Sequence, residues 1–410
     1  MRTRSGLQQS QKPYAVIIGL DSLNGIQAAR ILARHKIPII AIAKDPNHYG
    51  CKTRVCEHIY FADTATEAFI KILETIGPEF NHKAVLIPCT DMNVLHVSRS
   101  RQKLEKWYHI ALPDLEVVET LMNKISFYKL AQQRGFPIPA TRFLHSSDDT
   151  KRAAEELEFP CVVKPPMSAT PEWEKNSKLK AYKVSSAVEL LDIYERSKVW
   201  ADELIVQEWV EGPDSNLYSC NCYFNAQSEP VVTFVARKLR QWPPVTGESS
   251  LGEECRDDVV LSETIRFFRS IRLRGLGYVE IKQDVRSGEY FIIEPNIGRP
   301  TGRSAIAEAG GVELLYAAYC DQVGLPLPAD LQQKYTGVKW ISLRRDLQSA
   351  HHHWRKGELT LKEWWSSVRG PKAFALFSWT DPGPFLWDLI RGFRLYLSAE
   401  ERSKRDFRDL

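Results

Sequence analysis

Two acidic residues and one carboxamide in the second half of the chain have the types and spacing of a metal site. Glu294 and Asn296 lie two positions apart at the end of the apolar stretch YFIIEPN, and Glu280 ends the preceding stretch GYVE. Side chains alternate between faces in an extended chain, so residues i and i+2 point to the same side. The turn sequence RSGE predicts a hairpin that brings the three side chains together. Hard cations such as Mg²⁺ take oxygen ligands and phosphate oxygens, so this hairpin could hold a metal against a nucleotide.

An antiparallel sheet must position this hairpin, and the second half of the sequence predicts one. Short apolar stretches separated by Pro, Gly and polar turns indicate the strands. They are FPCVVK, ELIVQEW, VVTFVARKL, GYVEIKQ and YFIIEPN. Residues 165–183 connect two segments with a polar, glycine-free stretch, which predicts a surface loop.

The first part of the chain predicts a different layer structure. YAVIIGL and IPIIAIA are buried strands separated by the amphipathic stretch IQAARILARHK, a βαβ pattern that requires a parallel sheet. KAVLIPCT and YHIALPD add further strands, so a small doubly wound α/β domain is expected. The turn GLDSLNG lacks the GxGxxG spacing of dinucleotide sites. We therefore interpret it as a structural turn and not as the cofactor-binding turn of an oxidoreductase.

Composition and charge exclude several classes of function. The chain has 410 residues, of which 43% are hydrophobic and 26% charged, as in globular proteins with several subdomains. The net charge of +4 includes no long block of Lys and Arg, so a nucleic-acid partner is not expected. No apolar run has the length of a signal sequence or membrane span, which predicts a cytoplasmic protein. The eight cysteines lack CxxC spacing, so reduced thiols are expected rather than zinc ligands.

The order of the motifs resembles that of the ATP-grasp superfamily. The motifs are NKISFYKL, VVKP, VQEWVEGPD, VARKLR, GYVEIKQD and FIIEPN. Within the superfamily the chain looks most like carboxylate-amine ligases of the D-aspartate ligase type. The resemblance implies an α/β N-terminal domain followed by an α+β ATP-grasp fold with antiparallel sheets, plus a C-terminal helical extension.

The resemblance also divides the chain into four units. They are an N-terminal doubly wound α/β domain (1–120), a small lid subdomain (121–205), a metal-binding subdomain (206–328) and a Trp- and Arg-rich C-terminal extension (329–410). The resemblance fades in the last unit. A predicted helix begins at the first boundary, and this supports its position. The helix is capped near Asn123 and ends at Gly135.

Carried over residue by residue, the resemblance implies a nucleotide site. Lys124 and Lys164 would bind the α- and β-phosphates, whose negative charge their ammonium groups offset. The other residues expected at ATP are Lys183 and either Arg237 or Lys238 at phosphates, Gln207 with the backbone of Glu208 and Val210 at the adenine, and Asp214 at the ribose. Residues 165–183 would form a lid that closes over the triphosphate and excludes water.

The same resemblance gives the carboxylates and the carboxamide their role. Glu280, Glu294 and Asn296 would hold two Mg²⁺ ions between the β- and γ-phosphates, with Mn²⁺ as an alternative metal. Arg299 and Arg303 would hold a substrate carboxylate or its acyl phosphate as the catalytic cations. The implied reaction is ATP-dependent amide formation between a carboxylate and an amine, with release of ADP and phosphate.

Other functions stay open on sequence grounds. A carboxylase or a thioester-forming synthetase would use the same nucleotide site, and a non-catalytic ATP-binding module would keep it without turnover. The retained metal-binding acids favour an active enzyme. The arginines near the reaction centre suggest a small carboxylate such as an acidic amino acid. The aromatic C-terminal part suggests a large amine acceptor, such as a peptide or a cell-envelope precursor.

The C-terminal extension ends in a predicted amphipathic helix. Its apolar positions are Phe385, Leu386, Leu389, Ile390, Phe393 and Leu397. A basic, aromatic helix can lie on an anionic membrane or on a lipid-linked substrate. Packing on its own domain, or on a second subunit of a homodimer, is the interpretation that the sequence favours.

Overall fold

The structure is a computed structural model, and it describes residues 11–166, 171–177, 179, 181–244 and 247–392. Three sheets organise this part of the chain. The strands are β1 (Ala15–Ile18), β2 (Ile39–Ala43), β3 (His58–Phe61), β4 (Ala84–Pro88), β5 (Tyr108–His109), β6 (Thr141–Leu144), β7 (Cys161–Lys164), β8 (Tyr182–Val184), β9 (Leu204–Glu208), β10 (Leu217–Phe224), β11 (Pro230–Trp242), β12 (Glu248–Glu254), β13 (Gly275–Gln283), β14 (Tyr290–Ile297), β15 (Lys339–Ile341) and β16 (Lys372–Phe374). The α-helices are α1 (Leu23–Arg34), α2 (Ala68–Ile76), α3 (Asp91–Arg99), α4 (Arg101–Leu104), α5 (Leu115–Met122), α6 (Lys124–Gln133), α7 (Ser147–Glu156), α8 (Pro171–Asn176), α9 (Ala187–Ser197), α10 (Asp258–Ser270), α11 (Ala305–Ala309), α12 (Leu314–Val323), α13 (Leu343–Arg355) and α14 (Leu361–Val368). Residues 383–392 are also helical.

The first sheet is parallel, with the strand order β3-β2-β1-β4-β5. Strands β1, β2 and β4 are buried along their whole length. Alternate residues of β1 belong to two hydrophobic clusters, one on each face of the sheet, which explains the continuous apolar sequence. The parallel sheet predicted for this region is therefore present, and its strand order reverses between β1 and β4, where such sheets form a crevice.

The loops that follow β1 and β4 pack against each other at this crevice. Gly19 has a φ of +89°, and a Cβ atom there would lie 2.8 Å from Asn93 Oδ1, so only glycine fits. Asn93 also forms a capping box with Thr90 at the start of α3. The first residues of α1 and α3 are thereby fixed at the crevice.

Two antiparallel sheets follow, as the sequence predicts. The smaller has the order β6-β9-β7-β8, and the larger has the order β14-β13-β10-β11-β12-β15-β16. All neighbouring pairs in these two sheets are antiparallel except β15 and β16, which are parallel. The larger sheet carries the hairpin β13–β14, on which the predicted metal ligands lie.

The described C-terminal part contains α13, α14 and the helical residues 383–392, and it also belongs to the larger sheet. Strand β15 pairs with β12, and β16 extends the edge. The sequence did not predict these strands because each has only three residues, too few for an alternating pattern to emerge. Two buried ion pairs join this part to the rest of the protein: Asp346 accepts from Arg240, and Asp381 accepts from Arg30.

The predicted terminal helix lies partly within the described residues. Positions 383–392 are helical, whereas the apolar positions Phe393 and Leu397 lie outside the described residues. Among the helices that the structure describes, none combines the length and the apolar character needed to cross a membrane.

Candidate active site

The hairpin β13–β14 brings the predicted metal ligands to one face. Glu280 lies directly opposite Glu294, and Tyr278 lies directly opposite Asn296. Directly opposite side chains in an antiparallel pair point to the same face, with Cβ atoms about 4.5–5.5 Å apart. Two carboxylates and a carboxamide therefore converge, as the sequence predicted. This set of hard oxygen donors fits Mg²⁺, although the Asn296 oxygen also accepts from Arg299.

A bulge next to the carboxylate pair connects the hairpin to a buried lysine. The strand register shifts directly after Glu280 and leaves Ile293 as the extra residue. The hydroxyl group of Tyr128 donates to the carbonyl oxygen of Ile293 at 2.7 Å. Lys164 Nζ donates to the same hydroxyl at 2.7 Å. The bulge therefore holds the lysine of β7 against the carboxylate strand.

Burial shapes the electrostatics of this lysine. It lowers the pKa of Lys164 to about 8, and the nearby carboxylate of Glu294 limits the decrease. Lys164 Nζ also donates to Gln207 Oε1 at 3.0 Å. An ammonium group has three N–H donors, and within the described residues these contacts use two of them. The third N–H can therefore serve a phosphate oxygen.

Gln207, predicted at the adenine, is engaged within the protein. Its side chain is 2% exposed, and its Nε2 donates to Thr141 Oγ1 at 2.8 Å. Since its Oε1 accepts from Lys164, both ends of the amide have partners, and the side chain orients the lysine instead of facing open space. Sequence reasoning missed this contact because Thr141 lies 66 positions away, directly opposite on β6.

Lys124 approaches the carboxylate pair from the N-terminal side. It is the first residue of α6, which begins where the side chain of Asn123 accepts from the backbone N–H of Ser126. Lys124 Nζ lies 3.7 Å from Glu294 Oε1. Lys124, Lys164 and Glu294 therefore converge, as expected for a group that binds phosphates.

Of the two adjacent cations on β11, Lys238 faces the cleft. Its Nζ donates to Gln241 Oε1 at 3.0 Å, and its residue is 5% exposed. Burial lowers the pKa of Lys238, and Glu280 opposes this decrease. Arg237 points to the other face of the strand, where it donates to Glu253 at 3.0 Å. Of the two alternatives, Lys238 therefore lines the cavity and Arg237 does not.

Asp214 is connected to Lys238 through one glutamine. Gln241 Nε2 donates to Asp214 Oδ1 at 2.7 Å, while the other end of this amide accepts from Lys238. Burial raises the pKa of Asp214, and the positive charge of Lys238 opposes the increase. A half-buried carboxylate beside a cation can accept hydrogen bonds from a pair of hydroxyl groups, such as those of a ribose.

The residues predicted around the adenine lie along β9 and the turn that follows. The carboxylate of Glu208 accepts from the backbone N–H of Glu158 at 2.9 Å, and its own backbone N–H donates to the carbonyl oxygen of Ala140, so its carbonyl oxygen is the group that could meet a base. Val210 is 7% exposed. Lys183 Nζ lies 4.4 Å from the ring centroid of Trp209, which places this cation at the same turn.

A cavity of about 600 Å³ lies beside the hairpin β13–β14. It lies between the N-terminal domain and the larger antiparallel sheet. The predicted residues that line it are Lys238, Glu280, Glu294, Asn296, Arg299 and Arg303. The loops after β1 and β4 form its other wall, where the reversal of strand order places ligand sites in such sheets.

Two arginines in this cavity are held rigidly beside the carboxylates. Arg299 donates to Tyr278 Oη at 2.9 Å and pairs with Asp91. Burial by itself lowers the pKa of Arg299, but Tyr278 and Asp91 raise it further, so the pKa lies above its ordinary value. Arg303 is 4% exposed and donates to Ser219 Oγ at 2.8 Å, and burial lowers its pKa. Both guanidinium groups can bind an anion next to the reaction centre.

Among the residues of the cavity wall that sequence reasoning missed, three carry a charge or a hydroxyl group close to the predicted arginines or substrate site. Tyr278 precedes Glu280 by two positions, so the period-two rule could have placed it on the same face. Asp91 directly follows the loop after β4, and the rule for strand ends could have marked it. Arg345 comes from α13 in the C-terminal part and pairs with Glu248. No sequence signal pointed to Arg345, because the fold alone brings that helix to the cleft.

The predicted lid lies partly outside the described residues, which omit 167–170, 178 and 180. Its described part includes helix α8, on which Trp173 is 3% exposed. The indole Nε1 of Trp173 donates to the carbonyl oxygen of Leu179 at 2.8 Å. The lid role of residues 165–183 stays a prediction.

The pKa of Lys164 predicts that nucleotide affinity depends on pH. In the free protein this ammonium loses its proton at about pH 8, whereas bound phosphate would favour the protonated form. A ligand that raises a pKa binds best below the pKa of the free protein. We therefore expect the affinity for MgADP to decrease above about pH 8, by up to about tenfold per pH unit.

Calorimetric titration with MgADP across this pH range measures the dependence. In Lys164→Arg the guanidinium keeps its charge throughout, so the decrease should largely disappear even if the affinity is lower overall. Equal slopes for the wild type and Lys164→Arg would contradict the assignment of this lysine to the phosphates.

Comparison with known sequences gives relatives that are ligases. No protein-family model matches the chain. A D-aspartate ligase from Enterococcus faecium (strain Aus0004) is 25% identical over 249 residues, which cover 58% of this chain and 58% of that protein. A D-alanine–D-alanine ligase from Pseudomonas fluorescens (strain Pf0-1) is 32% identical over 93 residues, 23% of this chain and 26% of the relative. The chain thus spans less than two thirds of the length of these relatives.

Solved structures share the architecture over most of the chain. The ADP complex of PurK, an N5-carboxyaminoimidazole ribonucleotide synthetase, has a TM-score of 0.60 at 16% identity, covering 80% of this chain and 81% of that one. The L-amino acid ligase from Bacillus licheniformis has a TM-score of 0.60 at 13% identity, covering 80% and 79%. At such identities the likeness shows the fold alone. Together with the sequence relatives, it confirms the predicted resemblance to ATP-grasp carboxylate-amine ligases.

Proposed function

We propose that this chain, which has the ATP-grasp fold, is an ATP-dependent carboxylate-amine ligase that forms an amide and releases ADP and phosphate. The observation that carries the proposal is the position of Glu280 directly opposite Glu294, with Lys124 and Lys164 beside the pair. Carboxylates and cations in one cleft are what a metal-bound triphosphate requires.

The described residues supply groups for each part of the nucleotide. Lys124, Lys164 and Lys238 supply cations for the three phosphates, and Asp214 supplies an acceptor for the ribose. The backbone of Glu208 and Val210 would lie at the adenine, and Lys183, which lies beside Trp209, would be a further phosphate contact. Residues 121–205 would act as the mobile lid subdomain on the metal-binding subdomain 206–328, and residues 165–183 would exclude water.

The oxygen donors of the hairpin would hold the metal that accompanies ATP. Glu280, Glu294 and Asn296 would hold two Mg²⁺ ions, and Mn²⁺ accepts the same kinds of ligand. A bound ion would neutralise negative charge on the β- and γ-phosphates. Asn296 is fixed for this role by its hydrogen bond from Arg299.

The buried arginines indicate an anionic substrate. Arg299 and Arg303 lie on the cavity wall next to the carboxylate pair and would hold the carboxylate that reacts. Arg345 lines the same cavity, and its partner Glu248 is itself 61% exposed, so this weak ion pair can yield to a second substrate anion. A small dicarboxylate such as an acidic amino acid satisfies these cations, and the D-aspartate ligase among the relatives supports this choice.

The reaction follows from this arrangement. The substrate carboxylate, held by Arg299 and Arg303, attacks the γ-phosphorus, and the bond to the ADP oxygen breaks to give an acyl phosphate. An amine then attacks the acyl carbon, phosphate leaves, and the amine loses a proton to solvent. Positioning and fixed positive charge provide most of the rate enhancement. The amine acceptor would be as large as a peptide or a cell-envelope precursor.

An assay with hydroxylamine tests the proposal without knowledge of the amine. The protein is incubated with MgATP, hydroxylamine and, one at a time, acidic and neutral amino acids and other small carboxylates. Hydroxylamine converts an acyl phosphate into a stable hydroxamate. Hydroxamate that appears together with ADP for one acid supports the proposal. ADP without hydroxamate for every acid would mean that ATP is hydrolysed or used for other chemistry.

The two cations of β11 provide a matched pair of variants. Lys238→Met should lower kcat for ADP release by about 100-fold, because it removes a fixed charge from the phosphate site. Arg237→Met should keep kcat within about threefold of the wild type, since it loses only a half-exposed ion pair on the other face. The hydroxylamine assay measures both, and comparable losses in the two variants would refute the placement of Lys238.

A further inference from the structure

The helix at residues 383–392 has its polar and apolar sides reversed relative to an ordinary surface helix. Asp388 is 5% exposed, whereas Leu386, Leu389 and Ile390 are 53%, 45% and 44% exposed. These three residues are spaced i, i+3 and i+4, so they lie on one face. A surface helix normally buries such a face. Here the described residues leave the face exposed to solvent.

This face is continuous with a larger apolar surface. A groove of about 260 Å³ next to the helix is lined by Leu343 and Leu347 of α13, and by Phe374, Phe377 and Leu389. Trp379, 87% exposed, has its ring centroid 4.7 Å from that of Phe377. We define the C-terminal apolar patch as the exposed members of this surface: Leu343, Leu347, Phe374, Trp379, Leu386, Leu389 and Ile390. Contiguous apolar patches of this kind mark interaction sites.

The same part of the chain contains the positive charge of the protein. Residues 329–410 contain 15 Lys and Arg residues against 10 Asp and Glu, a net charge of +5, whereas the whole chain has +4. Arg344 lines the groove, Lys372 and Arg391 lie within two positions of patch residues in sequence, and Arg391 is exposed. Asp388 pairs with Arg344 and Asp381 with Arg30, so the charges within each pair offset one another, and Lys372 and Arg391 supply the positive charge beside the patch. The patch therefore combines apolar surface with positive charge.

We propose that the C-terminal apolar patch docks on the surface of a membrane that contains anionic phospholipids. Leucine side chains would enter the acyl boundary, the amphipathic ring of Trp379 would lie at the headgroups, and the basic residues would face lipid phosphates. A second copy of the chain fits less well. A two-fold interface would bring two positively charged patches together, and like charges repel. The proposal does not depend on the function proposed above.

Vesicle sedimentation with the full-length protein tests the proposal. We expect binding to vesicles of phosphatidylcholine with phosphatidylglycerol, much weaker binding to phosphatidylcholine alone, and a decrease with added salt. Leu386→Gln combined with Leu389→Gln should lower binding by at least about tenfold, because two leucines no longer enter the acyl region. Lys372→Gln combined with Arg391→Gln should lower binding to anionic vesicles and weaken its dependence on salt.

The control replaces two even more exposed apolar residues far from the patch in sequence. Val188 and Val199 are 76% and 79% exposed, and Val188→Gln with Val199→Gln should bind like the wild type. Thermal unfolding of every variant at the wild-type temperature shows that the fold is intact. Absence of wild-type binding, or binding that the leucine variant retains in full, would overturn the proposal. A dimer in sedimentation velocity that the leucine variant converts to a monomer, without vesicle binding, would assign the patch to a second copy.

Discussion

Replacement of Glu294 by glutamine is expected to lower the rate of hydroxamate formation by about 100- to 1000-fold. The substitution keeps the size of the side chain but removes one of the two facing carboxylates, and with it the negative charge that offsets a metal ion in the cleft. Lys124, 3.7 Å from this carboxylate, would lose this ion pair as well. The hydroxylamine assay with MgATP gives the rate, and MgADP calorimetry separates loss of catalysis from loss of nucleotide binding.

Glu289 provides the control on the same hairpin. It lies in the exposed turn between β13 and β14, so Glu289→Gln should have wild-type activity. Glu280→Gln should reproduce the loss seen for Glu294→Gln, since each residue contributes one member of the pair. Wild-type activity in Glu294→Gln would exclude the hairpin as the metal site and leave the cleft as a nucleotide site of another kind.

Replacement of Asp346 by asparagine is expected to reduce the free energy of unfolding by about 3–5 kcal/mol. Asp346 has no exposed surface, and its carboxylate accepts from Nε and Nη2 of Arg240, each at 2.9 Å, and from Trp364 Nε1 at 2.9 Å. The substitution leaves the buried guanidinium without a counter-charge. Denaturant titration followed by tryptophan fluorescence measures the change.

An exposed ion pair in the same part of the chain serves as the comparison. Asp330 pairs with Lys334 at 3.0 Å with both side chains at least half exposed, so Asp330→Asn should change the stability by at most about 1 kcal/mol. Arg240→Met combined with Asp346→Leu should recover much of the loss, because it removes both charges together. If Asp346→Asn and Asp330→Asn had equal effects, the buried pair would not be what anchors α13 to the larger sheet.

The pairing of Glu280 with Glu294 was predictable because a hairpin is local. The period of two, the turn sequence RSGE and the polar ends of both apolar stretches together determine which side chains share a face. The parallel sheet of the N-terminal domain was predictable for a similar reason, since each βαβ unit lies within a short stretch of sequence. Short-range patterns of this kind depend on backbone geometry more than on distant contacts.

The individual roles around the cleft depended on contacts between distant residues. Gln207 lies opposite Thr141 in the strand pair β6–β9, donates a hydrogen bond to it and accepts one from Lys164. The residues next to Gln207 in sequence gave no indication of these two hydrogen bonds. Arg237 and Lys238 are adjacent, and the sequence could not show which face of β11 lines the cavity. The structure shows that Lys238 lines the cavity, whereas Arg237 donates to Glu253 on the other face.

The sequence by itself determined the order of the layers, the hairpin and the set of oxygen donors and cations, because these follow from alternation, turns and residue type. The tertiary structure alone decided that Asp91 meets Arg299 across 208 positions, that Arg345 reaches the cleft, and that the helix at 383–392 turns its leucines outward. Such contacts are decided by how separate elements pack, and packing balances burial, hydrogen bonding and charge over the whole chain. No local pattern contains that balance.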